Sequence, residues 1–295
     1  MATPAMAGKG AGEGKVADGK FRPLFDGKTL KGWRVIPRVA GNQYPGGPSV
    51  AELRKSRGIA APIEPEKHPA HWFVKDGYIV GEQEFPGAGY GGYLITEKSF
   101  GDFELLLEVK PDWPVDTGVM VRRRPDDWTG FQVLIDHREG GGVGGFFGNG
   151  LASFMAAPFK ITSLRDGQGK VVGLQEDVPA TSQEPLLPEQ KARLAYAADV
   201  KDFLKAWKWG EWNEMRIRVV GAMPVITTWV NGVKIAELNT ATMQAPNYDP
   251  KAILNFLGPR GHIALEVHDN DAVFKDKRWG KGAQTRYRNI RIREF

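Results

Sequence analysis

The amino-acid sequence predicts an all-β protein, a two-sheet sandwich with long loop insertions and one inserted helix. Three observations carry that expectation. Short segments of alternating apolar residues recur along the chain, turn signals built on Gly, Asn and Asp separate them, and one stretch alone has the composition of a helix. Nine or so strand signals suit a pair of stacked sheets better than an isolated meander. A length of 295 residues suits one domain, because sandwiches of this size commonly enclose a single core.

Residues 1–20, MATPAMAGKGAGEGKVADGK, are rich in Ala, Gly and Lys without an apolar run, the composition of a disordered tail. An intact signal peptide needs an apolar h-region. ATPAMA nevertheless resembles the small-residue end of a cleaved export signal, so export to the periplasm or beyond stays an open reading. The domain is expected over 21–295, with insertions at about 37–70 and 151–208. The first is rich in Pro, Gly and charge and lacks strand periodicity. Within the second, PEQKARLAYAADVKDFLKAWK (188–208) opens on proline and continues with helix formers, which gives the one expected helix. Such insertions either rim a functional site or are surface excursions.

The strand signals follow in order. WFVKDGYIVG (72–81) places two arms around Asp76-Gly77, a type I′ hairpin signal. DFELLLEV (102–109), TGVMVRR (117–123), GFQVLIDH (130–137) and NEMRIRVV (213–220) each fit one strand. PVITTWVNGVKIAEL (224–238) is a second hairpin, around Asn231-Gly232, and GHIALEVHD (261–269) and TRYRNIRIREF (285–295) close the series.

Composition excludes several function classes. The chain has no cysteine, so there is no disulfide framework, no thiolate chemistry and no cysteine-based zinc site. Forty Lys and Arg against 35 Asp and Glu give a formal charge of +5, but the basic residues are interleaved with acidic ones, which argues against a nucleic-acid partner. No apolar run reaches the roughly 18 to 20 residues of a membrane span.

Period-two parity divides each strand into two faces. In GHIALEVHD, Ile263, Leu265 and Val267 form a core face, and His262, Ala264, Glu266 and His268 share the other. In GFQVLIDH, Phe131, Val133 and Ile135 are core-like, while Gln132, Leu134 and Asp136 face away; His137 falls on the core side at the strand end unless a bulge re-aims it. In TGVMVRR, Gly118, Met120 and Arg122 oppose Val119 and Val121. A solvated sheet surface would carry Lys, Glu and Thr. Gln, Asp, His, Glu and Arg are instead hydrogen-bonding and proton-transferring types, suited to a sugar-lined concave groove if these strands are neighbours.

Gly140, Gly142 and Gly145 satisfy G-x-G-x-x-G after a strand, yet no helix signal follows to receive a pyrophosphate. The glycines are expected instead to permit positive φ and close approach to a ligand or another strand. Of the nine tryptophans, Trp33, Trp72, Trp212 and Trp229 belong to strand contexts, and Trp113, Trp128, Trp207, Trp209 and Trp279 to loops, where one or two could stack on sugar rings.

The ordered set FRPLFDGKTLKGW (21–33), WFVKDGYIVG, GGYLITEKSFGDFELLLEVK (91–110), TGVMVRR, GFQVLIDH, GEWNEMRIRVVG (210–221), ITTWVNGVKIAEL (226–238) and GHIALEVHD with YRNIRIREF resembles the 3-keto-disaccharide hydrolase family. The resemblance implies a concanavalin A-like jelly roll and cleavage of glycosidic bonds in sugars already oxidised at C3. It sets Arg122 at the arginine ending the family's S-G-V-F-F-R strand, and Glu266 and His268 at the glutamine and histidine of L-Q-D-H, with Val267 replacing the aspartate. On the family's G-Y-E-V-Q-I-L-D strand, Gln132 stands at the glutamate, Leu134 at the glutamine and His137 at the aspartate. The expected catalytic groups are then His268, Glu266, His137 and Asp136, and the expected carbohydrate-binding groups Arg122, Gln132 and His262. A divalent metal, if used, would draw on His268, Glu266, His137 and Asp136. The alternative reading is a non-catalytic glycan-binding module that uses the same groove.

Overall fold

The computed structural model describes residues 19–39, 67–270 and 274–295. Most of the expected tail and of the first insertion lies outside them.

Two antiparallel sheets face one another. The larger has nine strands. Its spatial order is β13 (Tyr196–Ala197), β16 (Val233–Asn239), β15 (Val225–Val230), β14 (Asn213–Val220), β6 (Phe103–Pro111), β18 (Gln284–Glu294), β4 (Tyr78–Glu82) and β3 (His71–Lys75), with β1 (Arg22–Pro23) pairing β18. The second sheet runs β10 (Met155–Ala156), β9 (Gly142–Asn149), β8 (Gly130–His137), β7 (Val115–Arg123), β17 (His262–Val267), β5 (Gly92–Thr96) and β2 (Trp33–Pro37). A separate hairpin pairs β11 (Ile161–Arg165) with β12 (Val171–Glu176). The fold is the expected all-β jelly-roll sandwich.

Alternation builds the core. Leu105, Leu107, Val109, Met215, Ile217, Tyr287 and Ile292 of the large sheet are buried in one cluster with Val119, Val121, Phe131, Val133, Ile135, Ile263 and Leu265 of the other. The opposite face of the seven-stranded sheet is also covered: Ile36, Tyr93, Ile95, Met120, Trp128 and Ala264 form a second buried cluster there. Antiparallel sheets commonly leave one face to water. This one does not, and its buried outer face is where the charged residues gather.

Three expectations change. The one helix over 188–208 is two short ones, α1 (Pro188–Ala192) and α2 (Val200–Ala206). Between them Tyr196 and Ala197 pair with Glu237 and Ala236 as β13, and Asp199 restarts the helix by accepting from the Lys201 amide at 2.8 Å. A further helix, α3 (Pro250–Leu257), carries an Asp249 cap, proline in its first turn and Gly258 after it, a start and stop pattern that strand-centred reading overlooked. The glycine run, absent from the expected strands, is itself a strand, β9. It does use the expected freedom: Gly144 has φ +84°, and a Cβ there would lie 2.6 Å from Ile235 Cγ2 of the facing sheet. No phosphate-binding helix follows it. Among the described residues, no helix is long and apolar enough to cross a membrane.

Candidate functional site

Glu266 on the outer face of β17 is wholly buried. One carboxylate oxygen accepts from Arg38 Nε at 2.8 Å and from the Tyr93 hydroxyl at 3.0 Å. The other accepts from Gln132 Nε2 at 2.5 Å, and Gln132 Oε1 in turn accepts from Asn149 Nδ2 at 2.7 Å. Parity explains the convergence, since β17, β7, β8 and β9 are neighbours and these side chains share one face. Burial and the adjacent Glu266 push the Tyr93 phenol well above its usual range, so it remains a donor.

Arg38, just past β2, is the hinge of the cluster. Besides Glu266 it holds the Asp269 carboxylate and donates through Nη2 to His268 Nε2 at 2.9 Å, and its guanidinium lies 5.1 Å from the Trp128 ring centroid. His268 Nδ1 sits 2.6 Å from the Asp269 main-chain carbonyl. A carbonyl can only accept, so Nδ1 carries the proton and Nε2 the lone pair. Burial, reinforced by the Arg38 charge, lowers the His268 pKa, which keeps the imidazole neutral near pH 7. Its side chain retains 12% exposure, against none for Glu266.

Beyond His268 lies a second group. Asp116 and Asp136 are cross-strand partners. Asp116 Oδ2 is 3.9 Å from His268 Nε2, binds Arg278, and is 3.7 Å from Arg138 Nε. Arg138 also lies 2.7 Å from Asp136 Oδ1 and binds Glu184. Burial opposes ionisation of Asp116, yet His268 whenever it is protonated, together with the permanent Arg278 and Arg138 charges, outweighs it and holds its pKa low. Asp136 goes the other way: burial, aided by neighbouring Asp116, raises it to about 7 against the pull of Arg138. Glu184 comes from the 151–208 insertion, so that segment contributes to the cluster's wall.

The other sequence-derived candidates lie elsewhere. His137 stays on the core side. Its Nδ1 is 2.8 Å from the Asp112 carbonyl, and the rings of Trp113, Trp207 and Trp209 surround it at 5.1, 5.4 and 5.2 Å between centroids. Burial lowers its pKa to about 4. Arg122 also leaves the cluster. It has φ 51° at an irregularity in the β7–β17 register, and its guanidinium donates to the Phe100, Gly101 and Gly221 carbonyls and to Asp102. Arg123 takes the outward place instead, 4.4 Å over the Tyr93 ring. His262 sits roughly 13 Å along the strand from Glu266 by the rise per residue, bound at Nδ1 to the Thr96 carbonyl at 2.8 Å. Of the loop tryptophans, Trp128, Trp207 and Trp279 are buried, while Trp113 and Trp209 are partly exposed.

Sequence reasoning missed Arg38, Tyr93, Asp116, Arg138, Asp269 and Arg278. Extending the parity of β7 and β8 by one step at each end would have reached Asp116 and Arg138. Nothing local marks Arg38, Glu184 or Arg278.

A divalent metal does not fit the cluster. Its carboxylates already face guanidinium groups: Arg38 on Glu266 and Asp269, Arg138 on Asp136, Arg278 on Asp116. His137 faces the other side of the sheet, and no group of three or more His, Asp or Glu side chains among the described residues is set to hold an ion.

The all-β sandwich and the family that the sequence matches together define a carbohydrate-active protein. The profile of the 3-keto-alpha-glucoside-1,2-lyase-like domain matches residues 20–293, and the chain belongs to that family. No curated protein matches the chain. Solved structures of similar fold include a β-glucanase of Bacillus licheniformis (TM-score 0.45, 11% identity, covering 95% of this chain and 100% of that one) and a proposed glycosyl hydrolase of Parabacteroides distasonis (TM-score 0.44, 15% identity, 93% and 94% covered). A carbohydrate-binding module of Bacillus subtilis is a third (TM-score 0.39, 10% identity, 76% and 92% covered). The family match, not these structures, carries the assignment.

Proposed function

We propose that the outer-face cluster cleaves 3-keto-glycosides by removing the C2 proton. The observation that carries this reading is the 2.9 Å pairing of a neutral imidazole lone pair with a guanidinium, in a member of this family. Proton abstraction beside a ketone needs a base at the α-carbon and a positive donor at the carbonyl oxygen, a few ångströms apart.

In this scheme the substrate displaces the Arg38 contact at His268 Nε2. The Nε2 lone pair takes the C2 proton, and the C2–H electron pair moves into the C2–C3 bond while the C3 oxygen becomes an enediolate held by Arg38. Asp116 stabilises the imidazolium. The electrons then return, C3=O re-forms, C1=C2 forms and the C1–O bond breaks. The imidazolium gives its proton to the departing oxygen, so ketoglycoside becomes a keto-glycal and an alcohol. Water adding across C1=C2 would make the net reaction hydrolysis. Glu266, enclosed by three donors, is a positioning residue for Arg38, while Asp136 and Glu184 serve by orienting Arg138.

The test is turnover of a 3-keto-α-glucoside by wild type, His268→Ala and Arg38→Gln. Loss of general-base catalysis is expected to lower the rate by about 100-fold or more. Full activity in both variants would refute the assignment. In a second reading, a glycan-binding module without turnover, the enclosed Arg38–Glu266 pair only braces the sheet. Tight calorimetric binding of an unmodified oligosaccharide, with no ketosugar turned over, would select it.

A further inference from the structure

We propose that a cavity in the 151–208 insertion, between the β11–β12 hairpin and helices α1 and α2, binds one neutral sugar ring. This rests on the carbohydrate-active family and is independent of the ketone chemistry above. The cavity measures about 240 Å³, just below the roughly 300 to 1,000 Å³ that enclose drug-sized ligands. That size suits a single pyranose and is too small to swallow an oligosaccharide.

The lining has the two kinds of surface a sugar presents. Phe159, Leu186 and Val200, with two prolines, supply apolar walls against which ring C–H groups can lie. The polar part balances in charge: Lys160, Lys191 and Lys201 against Glu176, Asp177 and Asp199. A balanced set gives no net attraction for an ion, so the cavity selects hydroxyl groups.

One atom asks for a donor. Asp177 Oδ2 is buried without a hydrogen-bond partner, although Asp177 is fixed by its amide, which donates to the Lys160 carbonyl at 3.1 Å. An unpaired buried acceptor is costly, and a rotation of the Asp177 side chain that turned Oδ2 to the cavity would let a ligand hydroxyl satisfy it. The cavity also adjoins the reaction cluster. Lys160 Nζ donates to the Gly140 carbonyl at 2.8 Å, Gly140 abuts Glu184, and Glu184 binds Arg138. A sugar held here would be a remote subsite, linked to His268 through Glu184, Arg138 and Asp116.

The experiment is an amide-detected NMR titration of the full chain with methyl α-glucoside, in parallel with methyl glucuronide and glucosamine. Saturable shifts at Lys160, Asp177 and Val200 are expected with methyl α-glucoside first. Asp177→Ala should weaken binding by at least about tenfold, Leu186→Trp should abolish it by filling the space, and His268→Ala should leave it intact. If Asp177→Ala does not fold, Leu186→Trp decides. The absence of saturable shifts at these amides, undiminished binding in a folded cavity variant, or tighter binding of either charged sugar would overturn the proposal. Ketoglycoside turnover without such shifts sinks the subsite alone; shifts without turnover sink the reaction alone.

Discussion

His137 offers a quantitative check on how the fold treats an imidazole that sequence alone offers as a catalyst. It lies at the strand end on the core side, 2% exposed, with its pKa lowered to about 4 by burial. Above pH 6.5 the imidazole is neutral both folded and unfolded. Between pH 6.5 and 4 the unfolded chain binds a proton that the folded one refuses, so stability falls as pH drops across that window and levels off below it. At roughly 1.4 kcal/mol per unit, the loss from this one group between pH 7.5 and pH 4.5 is about 2.5 kcal/mol. His137→Phe keeps an aromatic ring among Trp113, Trp207 and Trp209. It gives up the bond to the Asp112 carbonyl but also removes Nε2, a buried acceptor without a partner, so at pH 7.5 the variant should match wild type to within about 1 kcal/mol. At pH 4.5 the balance should have moved by about 2.5 kcal/mol in its favour. Urea unfolding followed by tryptophan fluorescence at the two pH values measures the change. A stability difference that does not vary with pH would refute the placement of a neutral, buried His137.

Three further outcomes follow from the same geometry. Gly144→Ala puts a Cβ into Ile235 at 2.6 Å and onto a backbone at φ +84°; urea denaturation should show a loss of about 2 to 4 kcal/mol, and a neutral effect would mean the sheets are not so closely apposed. Glu266→Gln leaves the Arg38 guanidinium without its innermost carboxylate and should cost about 3 kcal/mol by the same assay, with Arg38-dependent activity lost alongside. For ketoglycoside cleavage, kcat/KM should rise with pH along an acid limb lying below pH 6.5, because burial and Arg38 lower the His268 pKa and only the neutral imidazole accepts a proton. A limb at or above pH 7 would point to another base.

The sandwich was legible because period two is a local property: the alternation in Phe103–Pro111 or Asn213–Val220 writes the core face into adjacent residues. Glu266, His268, Gln132 and Asp136 could be grouped for the same reason. Parity failed where backbone geometry departs from it. At Arg122 a left-handed conformation and a register shift swap the outward place to Arg123, and no residue type in TGVMVRR marks the change. At β9 a glycine run with few strand-forming side chains is a strand nonetheless, and Ile235 of the facing sheet fills the room that Gly144 leaves. The helical stretch at 188–208 divides because β16 offers an edge to Tyr196 and Ala197, a long-range pairing that local propensity cannot express. Arg38 lay beyond reach for the same reason: its partners Glu266, His268 and Asp269 are more than two hundred residues away in the chain.

The central claim is that His268 moves a proton at C2 while Arg38 carries charge on the C3 oxygen. A 3-keto sugar lacking a leaving group at C1 isolates that step, and its C2 proton signal can be followed by NMR in deuterated buffer. Wild type should exchange this proton well above the buffer rate, with His268→Ala and Arg38→Gln each slower by about 100-fold. Exchange equal in wild type and His268→Ala, or none in wild type beyond that in buffer, would contradict the account.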